Sequence, residues 1–292
     1  VRDKTNSLLN PSRGYQMVVD LEHASMMTGS SFEYNRLSAE IGTYEELGDQ
    51  QVLAGRIRAG WVGSGNFNLS MGGVEVIHPQ KRFYSGGANS VRGFAQNQLG
   101  SRVLTIDSPQ LLLADPITGE SPCTPSEIME LQCDANSLVD GMFGTPRPTG
   151  GQMVLEGGLE YRVMLASKFQ GAVFTDFGRV WNSSELAESG DLEVSPGIGF
   201  RYLSPIGPIR VDVGYRFRES SNLQVVTPQI RPFDAARDRQ DDKIRGLVNS
   251  NERIFDFVRM DDLALLDSKV IFDKVDGFSL SRFQLHLSIG QA

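Results

Sequence analysis

The chain has 292 residues, 28 Lys plus Arg against 36 Asp plus Glu, and a formal net charge of -8; with a pI near 5.0 this excludes a nucleic-acid binder, whose phosphate partner demands a basic surface. Hydrophobic residues make up 40% and mean hydropathy is -0.23, too apolar for a disordered chain and without any run approaching the ~20 apolar residues of a membrane-spanning helix. A transmembrane strand needs only about 9 to 11 residues and alternates apolar with polar, so it keeps mean hydropathy low and stays open as a reading.

Taken in order, period-two segments predict strands over Tyr15 to His23 and Leu37 to Tyr44, then more strongly over Leu53 to Trp61, where Leu53, Ile57, Ala59 and Trp61 oppose Ala54, Arg56, Arg58 and Gly60. Leu155 to Val163 sets Leu155, Leu159, Tyr161 and Val163 against Glu156, Gly158, Glu160 and Arg162. Gln170 to Trp181 alternates more weakly, and Val194 to Tyr202 sets Val194, Ile198, Phe200 and Tyr202 against Ser195, Gly197, Gly199 and Arg201. Ile209 to Phe217 is the clearest, with apolar residues facing Arg210, Asp212, Gly214 and Arg216. The last segment carries Phe283, Leu285, Leu287 and Ile289 on one face and Gln284, His286, Ser288 and Gly290 on the other. Greasy faces backed by charged ones fit a barrel whose outside meets lipid and whose lumen holds water.

The links alternate in length. Asn10 to Gly14, Leu47 to Asp49, Leu165 to Lys168 and Ser204 to Pro208 are tight, whereas residues 63–151 and 219–281 are long excursions. Short periplasmic turns and long outside loops are the barrel rule; with the last strand running toward the periplasm, every link obeys it. Within the second excursion Asp234 to Arg245 reads as a solvated charged loop and Glu252 to Leu266 as a helix. Cys123 and Cys133 lie in the first excursion, as a local disulfide or as two free thiols, with no His or second Cys pair beside them for zinc.

Arg82-Phe83-Tyr84-Ser85-Gly86-Gly87-Ala88-Asn89-Ser90-Val91-Arg92-Gly93-Phe94 closely resembles the sixth-loop motif of the BamA/TamA superfamily of outer-membrane assembly factors (the bacterial surface antigen barrel). Further matches follow in order: Glu160 in Leu159-Glu160-Tyr161, then Val173 to Gly178 with Asp176, then Ser204 to Asp212, then a final strand ending in Gly290. The resemblance covers nearly all of the chain apart from inserts at about 101–150 and 219–281 and implies an all-β antiparallel transmembrane barrel, with residues 1–292 supplying strands nine to sixteen of sixteen. It implies that the loop folds back into the lumen and that Arg92, Gly93 and Phe94 dock on the inner wall. Glu160 and Asp176, on lumen faces of neighbouring strands, are then the charge partners that make a buried Arg92 affordable, while Arg82, Phe83, Gly86 and Gly87 shape the loop. Members usually end in an aromatic residue, where this chain has Gln291-Ala292, and a half barrel leaves two strand edges in lipid, so further strands are expected upstream or from a second chain.

The same resemblance implies an outer-membrane protein assembly factor working without nucleotide or other cofactor, with a client strand pairing at the seam strand Phe283, Leu285, Leu287, Ile289 and Gly290. Its expected partners are the lipid bilayer and lipopolysaccharide, client outer-membrane proteins, periplasmic or lipoprotein subunits, and a surface protein at the long loops. The alternatives are a translocation pore of the TamA or two-partner-secretion kind, or a passive surface barrel with structural loops. No enzyme is expected: His23, His78 and His286 are the three histidines, and no metalloprotease, nucleophile-elbow, phosphate-loop or dinucleotide motif is present.

Overall fold

The computed structural model describes all residues except 32, 65–76, 113–120, 139–142, 183–191, 206, 218–220, 249–252, 273–279 and 291–292. Of the features singled out above, Ile206, Glu219, Glu252 and the closing Gln291-Ala292 lie outside the described residues. The chain divides into two compact units: residues 1–101, 148–219 and 275–292 form one, and residues 102–147 and 220–274 form the other.

The first unit is a nine-stranded antiparallel sheet. Its strands are β1 (Arg2–Asp3), β2 (Gly14–Ala24), β3 (Tyr34–Gly48) and β4 (Gln51–Ser64). After β5 (Arg102–Thr105) and β6 (Arg147–Pro148), which lie in another sheet, it continues with β7 (Met153–Ala166), β8 (Phe169–Trp181), β9 (Glu193–Ser204) and β10 (Gly207–Tyr215). After β11 (Ser221–Pro232), β12 (Ile244–Val248) and β13 (Arg253–Phe272), β14 (Phe283–Ile289) closes the order β1-β2-β3-β4-β7-β8-β9-β10-β14. Sequence neighbours are sheet neighbours, and the tight turns between β3 and β4, β7 and β8, and β9 and β10 all fall at one end.

The burial pattern inverts that of a soluble protein. On β8 the even-numbered residues Gln170, Ala172, Phe174, Asp176, Gly178 and Val180 are buried, while Val173 is 60% exposed. Outward Leu159, Ile198, Leu285, Leu287 and Ile289 are likewise exposed, and inward Glu156, Glu160, Arg162, Arg201, Arg210 and Asp212 are buried. Exposed leucine and isoleucine opposite buried arginine and aspartate is the arrangement a bilayer solvates on the outside and a polar lumen on the inside. No helix among the described residues is long and apolar enough to cross a membrane, so crossing rests on the strands.

The second unit differs from the sequence expectation of two loops. Its sheet has the order β12-β13-β11-β5-β6, with β11 antiparallel to β13 and parallel to β5. Of the helix expected over Glu252 to Leu266, the described residues from Arg253 onward belong instead to the 20-residue β13, paired along β11 and, over Arg253 to Phe257, with β12. The Leu263 to Leu266 run suits a helix by composition, but pairing with β11 draws it into the ladder, with two register shifts along that pair. The charged stretch from Asp234 is mostly exposed turn, tied by Arg231 to Asp238, and gives way to β12 at Ile244. Short helices α1 (Ser108–Leu111) and α2 (Pro125–Met129) pack Leu111 and Ile128 into a core with Leu104, Val225, Phe257 and Leu266. Cys123 and Cys133 are bonded in that core, their Cα atoms 5.6 Å apart.

Two outcomes follow. Ile198→Lys, at mid-strand on the outward face of β9, should destabilise the sheet in vesicles by about 2 to 4 kcal/mol, as read from reversible urea unfolding, with Ile198→Leu near neutral. Replacing both cysteines by Ser should destabilise the second unit by about 2 to 3 kcal/mol, the loop-closure value for so short a loop. Limited proteolysis should then cut within residues 102–147 or 220–274 while the barrel keeps its heat-modifiable gel mobility.

Candidate functional site

Of the residues between β4 and β5, the described ones from Ile77 onward lie against the inward face of the sheet. Arg82 holds the base of this loop, its guanidinium donating to Ile77 O at 2.9 Å and Thr149 O at 3.0 Å. Phe83 is fully buried, exchanges backbone bonds with Gly151 and lies where a Cβ on wall residue Gly60 would come within 2.5 Å of its ring. Gly86 and Gly87 have φ of 100° and 118°, a region a side chain would strain. Ser85 and Ser90 both donate to Glu156 on β7, at 2.5 and 2.6 Å, and Arg56 and Arg58 on β4 lie 3.6 and 3.3 Å from the same carboxylate.

Arg92 is the centre of the site. Its Nε and Nη2 grip Asp176 in a two-pronged contact at 2.7 and 2.9 Å, its backbone N–H donates to the same carboxylate at 3.0 Å, and Nη1 donates to Glu160 at 2.6 Å. The guanidinium carbon stands 3.3 Å from the centre of the Phe174 ring, adding cation–π attraction in a desolvated setting. Burial alone would pull this guanidinium toward its neutral form, but the bonds and charge of Asp176, with Glu160 and Asp212, raise it above its ordinary pKa, so Arg92 stays charged wherever the fold survives. Phe94 is buried nearby and takes Arg216 at 5.8 Å from its ring centre.

Strand register explains why these groups meet. Glu160 stands opposite Phe174, and Phe174 opposite Gly197, which pairs with Gly214. The row thus passes two bare glycines beside the ring before it reaches Gln284 on β14, leaving a depression for the loop tip. One row on, Arg162, Ala172, Gly199, Asp212 and His286 stand side by side. The structure brings together Arg92, Glu160 and Asp176, the residues named from the sequence, with Gly93 and Phe94 beside them. It adds others that sequence reasoning had placed on polar faces without assigning to the cluster. Arg162 and Arg201 donate to the second oxygen of Glu160 at 2.6 and 2.5 Å, Asp212 lies 3.6 Å from Arg92, and Arg210 donates to Ala88 O at 2.7 Å. Phe174, an apolar residue on a lumen face, carried no sequence signal; the inward alternation could have found the rest. Of the residues expected to form the seam, Phe283, Leu285, Leu287 and Ile289 lie on the outward face of β14, away from the cluster, and Gly290 at φ 100° donates its N–H to Pro208 O at 2.9 Å. Among the described residues no group of His, Cys, Asp and Glu is arranged to hold a metal ion.

A network of this kind resists loss of one partner more than it adds net stability. Arg92→Ala should therefore cost about 3 to 5 kcal/mol in reversible unfolding in detergent, because Asp176 is left buried without its counter-charge. Adding Asp176→Asn to that variant should recover part of the loss; an additive double mutant would show that the two do not interact.

The family model of the Omp85 superfamily domain matches residues 1–231. The outer membrane protein assembly factor BamA of Nitratidesulfovibrio vulgaris is 25% identical over 221 residues, 75% of this chain and 22% of that protein, so the chain spans about a fifth of the length of this curated relative. The crystal structure of BamA from Haemophilus ducreyi lacking POTRA domains 1–3 superposes with a TM-score of 0.50 at 19% identity, over 74% of this chain and 37% of that one. The inverted burial, the alternating links and the family match agree: the chain belongs to the Omp85 superfamily and carries its outer-membrane β-barrel fold.

Proposed function

We propose that the chain is the barrel part of an outer-membrane protein assembly factor, as its Nitratidesulfovibrio relative is named, and that it inserts client β-barrels without nucleotide. The observation that carries this is the Arg92 cluster. A loop returned to the lumen and held by charge, on a sheet whose last strand β14 pairs only with β10 among the described residues, gives a wall with a fixed interior and an edge on which a client strand can align. Exposed N–H and C=O groups of such an edge supply β-augmentation. In this reading Arg92, Gly93, Phe94, Glu160 and Asp176 lock the loop, Arg82, Phe83, Gly86 and Gly87 shape it, and β14 is the seam. The partners are lipid and lipopolysaccharide at the outward face, client barrels at the seam, and periplasmic or lipoprotein subunits bound elsewhere in the whole protein.

One observation favours a second role beside this. The two excursions form a disulfide-bonded folded unit rather than bare loops, as suits a module displayed outside the cell in contact with a surface protein.

The test uses the whole protein in liposomes with a small, urea-unfolded outer-membrane barrel as client. Folding of the client should be faster than in empty liposomes without nucleotide, and Arg92→Ala should slow it while the variant still inserts. Ion conductance with no client folding would replace this reading with the translocation pore.

A further inference from the structure

The Arg92 side chain and N–H are held by β7 and β8, yet the backbone carbonyl of the same residue is held from β14, at the far side of the sheet. His286 on β14 places Nε2 3.0 Å from Arg92 O; since a carbonyl only accepts, Nε2 carries the proton and donates. The approach depends on bare wall. A Cβ on Gly214 of β10 would stand 2.3 Å from Arg92 O, and one on Gly93 itself 2.3 Å from Ser195 Oγ of β9. The other inward side chains of β14 make no such link: Gln284 donates to Leu285 O of its own strand, and Ser288 Oγ has no hydrogen-bond partner among the described residues. We propose that His286 is a positioning residue that joins the seam strand to the loop tip, so that β14 cannot leave β10 without loosening Arg92, and a displaced tip in turn loosens β14. This rests on the reading of β14 as the seam. It gives one residue two anchorages, with its guanidinium on β7 and β8 and its carbonyl on β14.

Hydrogen exchange of the whole protein in lipid nanodiscs, with no client present, tests the coupling directly. The reporters are the Arg92 amide, bonded to Asp176, and the β14 amides paired to β10. His286→Leu should speed both sets together by about fivefold, the scale of one lost hydrogen bond. His286→Gln, whose amide N–H reaches to a similar distance, should keep both near wild type. Gly214→Ala pushes on the same carbonyl from β10 and should reproduce the paired acceleration even if His286→Leu fails to fold. Acceleration of β14 alone with Arg92 unchanged, or a Gln variant as fast as Leu, overturns the coupling. Wild-type client folding by a variant with both segments loosened would leave the coupling standing and overturn the seam reading instead.

Discussion

One guanidinium organises the inside of this wall. Arg92 enters on a loop, is nearly fully buried, and meets Asp176 through three donors, Glu160 through a fourth and the Phe174 face through its plane. A lysine could supply the charge but not the planar fork that engages two carboxylates at once. The rest of the inner face is shaped for that fork. Gly158 leaves room for the Asp176 carboxylate, Gly197 for the Phe174 ring and Gly214 for the Arg92 carbonyl, so the wall is bare where the cluster and the loop tip press against it.

This arrangement makes sense only if outside and inside exchange their usual roles. With lipid as the outer solvent, exposed Ile198 and Leu287 carry no penalty, and the inward residues are free to be charged because water or a charged loop faces them. Glu156 shows the consequence at a second point: Ser85, Ser90, Arg56 and Arg58 surround its carboxylate, fastening the loop to β7 at a second place besides Glu160. Two separate anchor points along one loop fix its course as well as its tip.

The long strands of the first unit were legible because each alternates cleanly and ends in turn residues, so Ile209 to Tyr215 or Phe283 to Ile289 admits one reading. The inward positions of Arg162, Arg201 and Asp212 could be read in the same way. Their convergence on Glu160 and Arg92 could not, because it depends on the register between strands far apart in sequence, and register is set by pairing rather than by any residue alone. His286 was legible as an inward histidine, but its partner is a backbone carbonyl, which no sequence pattern announces. The second unit was the least legible. Arg253 to Phe272 mixes a β-rich start with the helix-forming run Leu263 to Leu266, and its strand state comes from β11 and β12 on its flanks, a tertiary effect that local propensity does not contain.

The cluster is also lopsided in a way that bears on its release. Glu160 keeps Arg162 and Arg201 on its other oxygen when Arg92 is absent, so that carboxylate stays neutralised by the wall itself. Asp176 takes all its hydrogen bonds among the described residues from Arg92. Withdrawing the tip therefore exposes one uncompensated carboxylate rather than two, and water entering the vacated lumen can solvate it. The cost of release is concentrated at Asp176, and it falls as the lumen wets. A lock made of apolar contacts would behave in the opposite way, since water entering behind it would strengthen the drive to close. In the proposed reading, in which the wall opens at the seam and the lumen floods, an ionic lock is thus strong while shut and weaker once opening has begun, the behaviour a reversible gate requires.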